Sequence, residues 1–217
     1  MKNESAREVL AATARSVVDA ETLKAWVRGP VRAVLPHAAM LCGQSVPHSG
    51  GYAAIQAWSF GVPAAYRAKI ACAGGNARSP LLTRLMRTGG PEFFDEDDER
   101  PDFDAAWRSN FERAGWRNVL GLAHLEGAGE GLVLSAAAFY NVDPTTVENS
   151  RVLQRTVMPA VHAVLRRLYG SSRPGAGGFA ITPAERAVLD FLLQGLTNKQ
   201  IARQLGFTPQ YSAAKAV

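Results

Sequence analysis

Residues 171–178 read Ser-Ser-Arg-Pro-Gly-Ala-Gly-Gly and contain no large apolar side chain for a core to bury. Glycine, serine and proline at this density are typical of a flexible linker. This stretch constrains the fold strongly, because the sequence on either side of it must then form its own packed structure. The sequence therefore predicts a body at residues 1–170, a linker at 171–180 and a short C-terminal unit at 181–217.

Charge is distributed unevenly along the chain, which has 217 residues and a formal net charge of +5. Residues 1–150 carry 15 Lys and Arg against 17 Asp and Glu, whereas residues 151–217 carry 9 against 2. A basic tail behind a near-neutral body is typical of a protein that binds a polyanion. A basic, solvated helix without a partner would give the same count.

Several classes of protein and site have no support in the sequence. The longest apolar run, residues 131–140, is far shorter than the roughly 20 residues that cross a bilayer, and the N-terminus does not resemble a signal peptide. Cys42 and Cys72 are predicted to be reduced thiols, and the four histidines lack metal-binding spacing. No nucleophile–base motif or phosphate-binding loop is present. We therefore expect a cytoplasmic protein that is not an enzyme, with no catalytic residue, metal, cofactor or membrane contact.

The body combines helical and strand patterns, including two predicted hairpins. Gly29-Pro30 is expected to break or kink the second helical stretch. The predicted order is α-β-β-α-β-α-β-β-α, which favours an antiparallel sheet flanked by helices, an α+β domain. This order resembles GAF/PAS-like sensor domains. After the helical residues 9–35, the predicted elements are strands at 38–45 and 52–60, a helix at 79–88, a strand at 91–94, a helix at 103–114, strands at 116–125 and 131–140, and a helix from residue 143.

The tail contains two helix-initiation patterns. Thr182-Pro183-Ala184-Glu185 and Thr197-Asn198-Lys199-Gln200 each place a threonine at the N-cap and a glutamate or glutamine three residues later. Apolar residues at helical spacing follow each pattern, and Gly195 and Gly206 are natural helix ends. Two short helices joined by a glycine-containing turn predict a helix-turn-helix, with a third helix starting at Thr208-Pro209.

This segment resembles the DNA-binding domain of LuxR-type transcriptional regulators. The resemblance is carried by residues 181–189, 195–199 and 201–206. It implies a recognition helix in the major groove, and the free N–H groups at the start of the preceding helix are suited to a phosphate. Arg203 either contacts phosphate or lies in solvent. The predicted DNA-binding residues are Thr197, Asn198, Lys199, Arg203, Thr208, Gln210 and Lys215.

The sequence departs from the family pattern after Gln210. The family continues with a β-branched core residue, basic side chains and a fourth helix that supports dimerisation. Here Ser212 occupies the expected core position and the sequence ends at Val217. We expect a short, frayed recognition helix and an incomplete DNA-binding domain, with DNA binding weakened or lost.

The body is similar to the autoinducer-binding domain that precedes this helix-turn-helix in LuxR-type regulators. In that family an aspartate, a tyrosine and two tryptophans recognise an acyl homoserine lactone. Tyr66 matches the tyrosine, but Val62 and Phe94 replace tryptophans and Ser79 replaces the aspartate. Losing that carboxylate removes an acceptor for the ligand amide, so a lactone is not the expected ligand. The body more closely resembles an EpsA-like LuxR subgroup, whose N-terminal domain is GAF-like.

Aromatic residues in the body have two interpretations, a ligand pocket and an ordinary core. The predicted pocket residues are Trp58, Phe60, Tyr66, Ser79, Phe94 and Trp107. The acidic run at residues 95–99 is predicted to be a solvated loop, because its adjacent carboxylates lack the spacing of a calcium loop.

Together these patterns predict a DNA-binding regulator whose N-terminal domain binds a small molecule or a partner and controls the helix-turn-helix. A homodimer is expected, because symmetric subunits read two half-sites. The alternative is a dimerising small-molecule-binding or interaction module whose shortened helix-turn-helix no longer binds DNA.

Overall fold

The computed structural model describes residues 3–48, 51–70, 79–127 and 132–171, together with Thr197 and Gln200. The chain divides into two compact units, Met1–Ser172 and Arg173–Val217. A π-helical segment, Val27–Val31, joins two of the helices, and a 3-10 helix, Pro144–Asn149, precedes the last helix. The helices are α1 (Asn3–Ala14), α2 (Ala20–Trp26), α3 (Arg32–Val34), α4 (Ala64–Ile70), α5 (Pro80–Thr88), α6 (Ala105–Arg113) and α7 (Ser150–Ser171). The strands are β1 (Ala39–His48), β2 (Gly51–Phe60), β3 (Glu92–Asp95), β4 (Asn118–Glu126) and β5 (Val133–Tyr140).

The five strands form one sheet in the order β2-β1-β5-β4-β3, and every neighbouring pair is antiparallel. Both predicted hairpins are present, as β1–β2 and β4–β5, and the pairing of β1 with β5 joins them. The pairing of β1 with β2 shifts register between Gln44 and Ser45. The predicted α+β class with an antiparallel sheet is confirmed for the N-terminal unit.

Helices cover both faces of the sheet. Alternate side chains of a strand point to opposite sides, so each face contributes its own buried residues. Leu120 and Phe139 pack with the buried faces of α1, α2 and α7. Val119 and Tyr140, their neighbours in sequence, pack instead with α4, α5 and α6. The unit therefore has two hydrophobic layers, which we call the α1/α2/α7 layer and the α4/α5/α6 layer.

The predicted break at Gly29-Pro30 is a change of helix type. Pro30 has no N–H to donate to the preceding turn, which an α-helix requires. The chain widens there into the π-helical segment, and the N–H of Arg32 donates to the carbonyl of Val27. The helical path therefore continues from α2 into α3.

Helix α4 was not predicted from the sequence, although it positions Tyr66, one of the predicted pocket residues. It is short and follows Pro63, so its seven residues give little helical periodicity. Among the helices that the structure describes, none is long and apolar enough to cross a membrane.

Candidate functional site

The α4/α5/α6 layer contains a group of packed aromatic rings centred on Phe94. Phe103, Trp107 and Phe111 recur every four residues and surround this ring, with centroids 4.5, 4.7 and 5.2 Å from that of Phe94. Trp107 and Phe111 also stack on each other, 5.0 Å apart, because they lie one turn apart on α6. Asp104 caps this helix by accepting a hydrogen bond from the backbone N–H of Trp107.

Tyr66, Trp116 and Tyr140 extend this group of rings. Tyr66 contacts both other rings edge-on, and Trp116 and Tyr140 have centroids 4.9 Å apart. Burial raises the pKa of Tyr66 to about 12, although a hydrogen bond with Tyr140 opposes this shift. Burial also raises the pKa of Tyr140. Both phenols are therefore neutral near pH 7, and each can donate or accept a hydrogen bond. We call Tyr66, Phe94, Phe103, Trp107, Phe111, Trp116 and Tyr140 the aromatic cluster.

Two polar atoms in the aromatic cluster lack partners. The Nε1 atoms of Trp107 and Trp116 are buried, and neither donates to any acceptor among the described residues. A buried donor without a partner costs about 1–3 kcal/mol, and native proteins contain few of them. A bound molecule with suitably placed acceptor oxygens would satisfy both indoles.

The six residues predicted as a pocket are not all together. Tyr66, Phe94 and Trp107 belong to the aromatic cluster. Trp58 and Phe60 pack instead against the α1/α2/α7 layer, opposite Cys42 and Met40 of β1. Trp58 and Phe60 share one face of the sheet because they are two positions apart on β2.

Ser79, the sixth predicted residue, caps α5. Its hydroxyl oxygen accepts a hydrogen bond from the N–H of Leu82 at 3.4 Å, and Pro80 occupies the first helical position. This contact satisfies one of the free N–H groups at the helix start. Val62, which replaces a tryptophan of the lactone-binding pattern, is buried in the α4/α5/α6 layer.

Four residues of the aromatic cluster were not among the predicted pocket residues: Phe103, Phe111, Trp116 and Tyr140. The spacing of Phe103, Trp107 and Phe111 is that of one helix face, but the sequence does not show that Phe94 packs against it. Trp116 precedes β4 and Tyr140 is the last residue of β5, so their contact depends on the register of that hairpin.

Arginine side chains hold the loop before α6 over the aromatic cluster. The guanidinium carbon of Arg100 lies 5.0 Å from the ring centroid of Phe103, and that of Arg108 lies 5.3 Å from the ring centroid of Phe94. Arg100 also forms ion pairs with Asp98 and with the buried Glu92. The loop is therefore anchored at both a charged and an aromatic surface.

The acidic run at 95–99 is only partly solvated. Glu96, Asp97 and Glu99 are exposed, as the solvated-loop interpretation predicted. Asp98 is half-buried and accepts hydrogen bonds from the Arg100 guanidinium, including one at 2.7 Å from Nε. Burial opposes ionisation of Asp98, but these hydrogen bonds prevail and lower its pKa.

A chain of polar side chains crosses the opposite layer. Ser135 lies between two partners: its hydroxyl accepts from Gln44 Nε2 at 3.0 Å and is 2.8 Å from His162 Nδ1. His162 Nε2 is 2.9 Å from Glu126 Oε2. This order of serine, histidine and glutamate is found in hydrolases, but Ser135 has 0% of its surface exposed. A nucleophile needs access to substrate, so here the chain ties α7 to the sheet.

Thr197 and Gln200 are the described residues of the predicted helix-turn-helix. Gln200 Oε1 accepts from both the N–H and the hydroxyl of Thr197, each at 2.8 Å, and Gln200 lies in a helix. This is the glutamine half of the predicted capping box. The remaining predicted DNA-binding residues, Asn198, Lys199, Arg203, Thr208, Gln210 and Lys215, lie outside the described residues. Among the described residues, no cluster of His, Cys, Asp and Glu is suited to a metal ion.

Comparison with known proteins agrees with the fold of the N-terminal unit and with the predicted helix-turn-helix. Residues 180–210 match the model of the luxR family of bacterial regulatory proteins. No curated protein matches the sequence. Three solved structures share the fold, each at low identity.

The first is the N-acylhomoserine lactone dependent LuxR family transcription factor CepR2 from Burkholderia cenocepacia, at 14% identity and a TM-score of 0.56; the match covers 76% of this chain and 98% of CepR2. The second is SdiA from Escherichia coli, at 15% identity and a TM-score of 0.58, covering 94% of this chain and 84% of SdiA. SdiA in complex with octanoyl-rac-glycerol matches at 11% identity and a TM-score of 0.53, covering 96% and 84%. Residues 180–210 therefore match the luxR family, and they follow an N-terminal unit that shares the fold of these structures.

Proposed function

We propose that this protein is a DNA-binding transcriptional regulator whose N-terminal unit binds a small molecule and thereby controls the C-terminal helix-turn-helix. The observation that carries this proposal is the luxR-family match at residues 180–210 in a chain with the fold of CepR2 and SdiA. The protein acts by binding and not by catalysis. It forms a homodimer, because two symmetric subunits can read two half-sites.

The small molecule binds at the aromatic cluster. The two unpartnered indole N–H groups of Trp107 and Trp116 favour a ligand with acceptor oxygens, and the surrounding rings favour an apolar body. CepR2 is described as dependent on N-acylhomoserine lactone. Here Ser79 caps α5 where the lactone-binding family has an aspartate, so the ligand need not carry a lactone amide.

The helix-turn-helix contacts DNA through two groups of residues. The sequence pattern predicts a helix start at Thr197, Asn198 and Lys199, where backbone N–H groups and positive charge suit a phosphate. The sequence pattern predicts Thr208 and Gln210 at the start of the recognition helix, from which their side chains would reach base edges. Arg203 and Lys215 would add positive charge near the phosphate backbone of the DNA.

Fluorescence anisotropy of the full chain with a labelled DNA duplex tests this proposal. We expect affinity to fall steeply between about 50 and 200 mM salt, because binding releases counterions from the phosphates. Lys199→Ala should lower the slope of log affinity against log salt by about 1. Lys24→Ala is the matched control, because Lys24 lies on α2 and forms its ion pair with Glu21.

An absence of binding even at about 50 mM salt would contradict DNA binding and favour the alternative, an interaction module without DNA affinity. An equal loss of slope in Lys24→Ala and Lys199→Ala would show that general charge, and not the helix-turn-helix, carries the binding.

A further inference from the structure

A groove lies beside the π-helical segment, at the end of the sheet where β1 begins and β2 ends. Its volume is about 340 Å³, and its walls include Arg28, Arg32, His37, Phe60 and Gly61. The groove shares no residue with the aromatic cluster. π-Helical turns are uncommon and occur often at functional sites.

Two guanidinium groups line the groove without acidic partners. Arg28 and Arg32 are both exposed, and neither forms an ion pair or a side-chain hydrogen bond with any residue that the structure describes. By contrast, Arg84 and Arg87, on α5, share the carboxylate of Asp102. The arginines of the groove therefore retain their full capacity to bind an oxyanion.

His37 adds a buried polar group to the same wall. It is 6% exposed, and its Nδ1 lies 2.6 Å from the carbonyl oxygen of Leu35. Because a carbonyl only accepts, Nδ1 carries the proton and Nε2 of the neutral ring is an acceptor. Burial lowers the pKa of His37, and the positive charge of Arg32 lowers it further. His37 is therefore a neutral part of the wall, and the positive charge of the groove comes from Arg28 and Arg32.

The remaining walls are apolar or backbone. Phe60 provides hydrocarbon surface, whereas Val27, in the same wall, is only 1% exposed. Gly61 has a φ of +73°, and a Cβ atom there would lie 3.2 Å from the carbonyl oxygen of Ala38. A side chain at position 61 would thus strain the backbone and crowd the groove. The volume exceeds what an inorganic ion needs and falls within the range of about 300–1,000 Å³ that small-molecule sites occupy.

We propose that this groove binds a small organic oxyanion, a phosphate or carboxylate attached to an apolar body, with Arg28 and Arg32 holding the anion and Phe60 contacting the body. This second site is separate from the aromatic cluster and does not depend on DNA binding.

Isothermal titration of the full chain tests the site with phenyl phosphate, benzoate and inorganic phosphate, each against sodium chloride at equal ionic strength. We expect saturable binding of phenyl phosphate or benzoate, and weaker binding of inorganic phosphate because it lacks an apolar body. The phosphate and carboxylate probes distinguish the two head groups. The double variant Arg28→Gln/Arg32→Gln should weaken binding by at least about tenfold.

Arg7→Gln/Arg15→Gln is the matched control, because both arginines are exposed and lie outside the groove. The imidazole resonances of His37 provide a local readout and should shift with the probe in the wild type and the control, but not in the groove variant. Equal weakening in both double variants, or binding no stronger than that of chloride, would overturn the proposal. A bound probe that leaves the His37 resonances unchanged would also overturn it.

Discussion

The indole N–H of Trp107 has no acceptor among the described residues, whereas that of Trp26 donates to Thr13 Oγ1 at 2.9 Å. The two tryptophans are 8% and 4% exposed, so replacing either with phenylalanine removes a similar buried volume. We expect Trp26→Phe to lower the free energy of unfolding by about 1–3 kcal/mol more than Trp107→Phe, because only Trp26→Phe loses a hydrogen bond. Urea denaturation of the protein without ligand measures this difference. Equal losses would show that the Trp107 N–H is satisfied in solution.

At the same scale, the sequence predicts which aromatic residues are buried better than it predicts which of them meet. Tyr66, Phe94 and Trp107 were predicted together and do lie in one layer. Trp58 and Phe60 lie in or against the other layer, although their aromatic character is the same. Their side depends on the register of β2 against β1, which includes a shift between Gln44 and Ser45. A shift of one residue exchanges the two faces, and composition does not reveal it.

Among the secondary-structure elements, the β1–β2 pair depends on a close backbone approach at Gly43. A Cβ atom built at this position would lie 2.5 Å from the carbonyl oxygen of Gln56, across the strand pair. We expect Gly43→Ala to separate these strands and lower the free energy of unfolding by about 1–3 kcal/mol. Gly90→Ala is the control, because no atom lies within 4 Å of its Cβ position, and its effect should be within about 0.5 kcal/mol. Thermal and urea unfolding measure both; equal effects would contradict the close approach.

The predicted elements were most accurate where the pattern was long or carried a specific turn signal. Both hairpins follow from apolar runs around turn residues, and α5 follows from the amphipathic spacing of residues 79–88. Helix α4 has only seven residues, and the π-helical segment keeps helical spacing while changing its hydrogen bonds. Periodicity does not distinguish these cases, because neighbouring types of helix place their apolar residues similarly over one turn.

For the whole molecule, one buried and one half-buried histidine make stability depend on pH in a window that carboxylates do not share. Burial lowers the pKa of His37 below its ordinary value of 6.5, and burial and the nearby His162 do the same for His124. The unfolded chain therefore takes up protons near pH 6.5 that the folded protein resists. Their contribution to stability is present above that pH and is lost as the pH falls below it. We expect the free energy of unfolding to decrease between about pH 7.5 and 5.5.

Urea denaturation across this range measures the effect, and His37→Gln and His124→Gln should each reduce the decrease. Asp19→Asn is the control for the window. The backbone N–H of Thr22 lowers the pKa of Asp19 below its ordinary value of 3.8, so that group loses its contribution only at more acidic pH. The Asp19→Asn profile should run parallel to that of the wild type between about pH 7.5 and 5.5 and diverge below about pH 4. If the histidine variants also ran parallel to the wild type, other groups would govern this part of the profile.

The groove gives a further expectation for the same measurement. Phenyl phosphate bound beside His37 should offset the charge of Arg32 and raise the His37 pKa. The decrease in the free energy of unfolding between about pH 7.5 and 5.5 should then be shallower in the presence of phenyl phosphate.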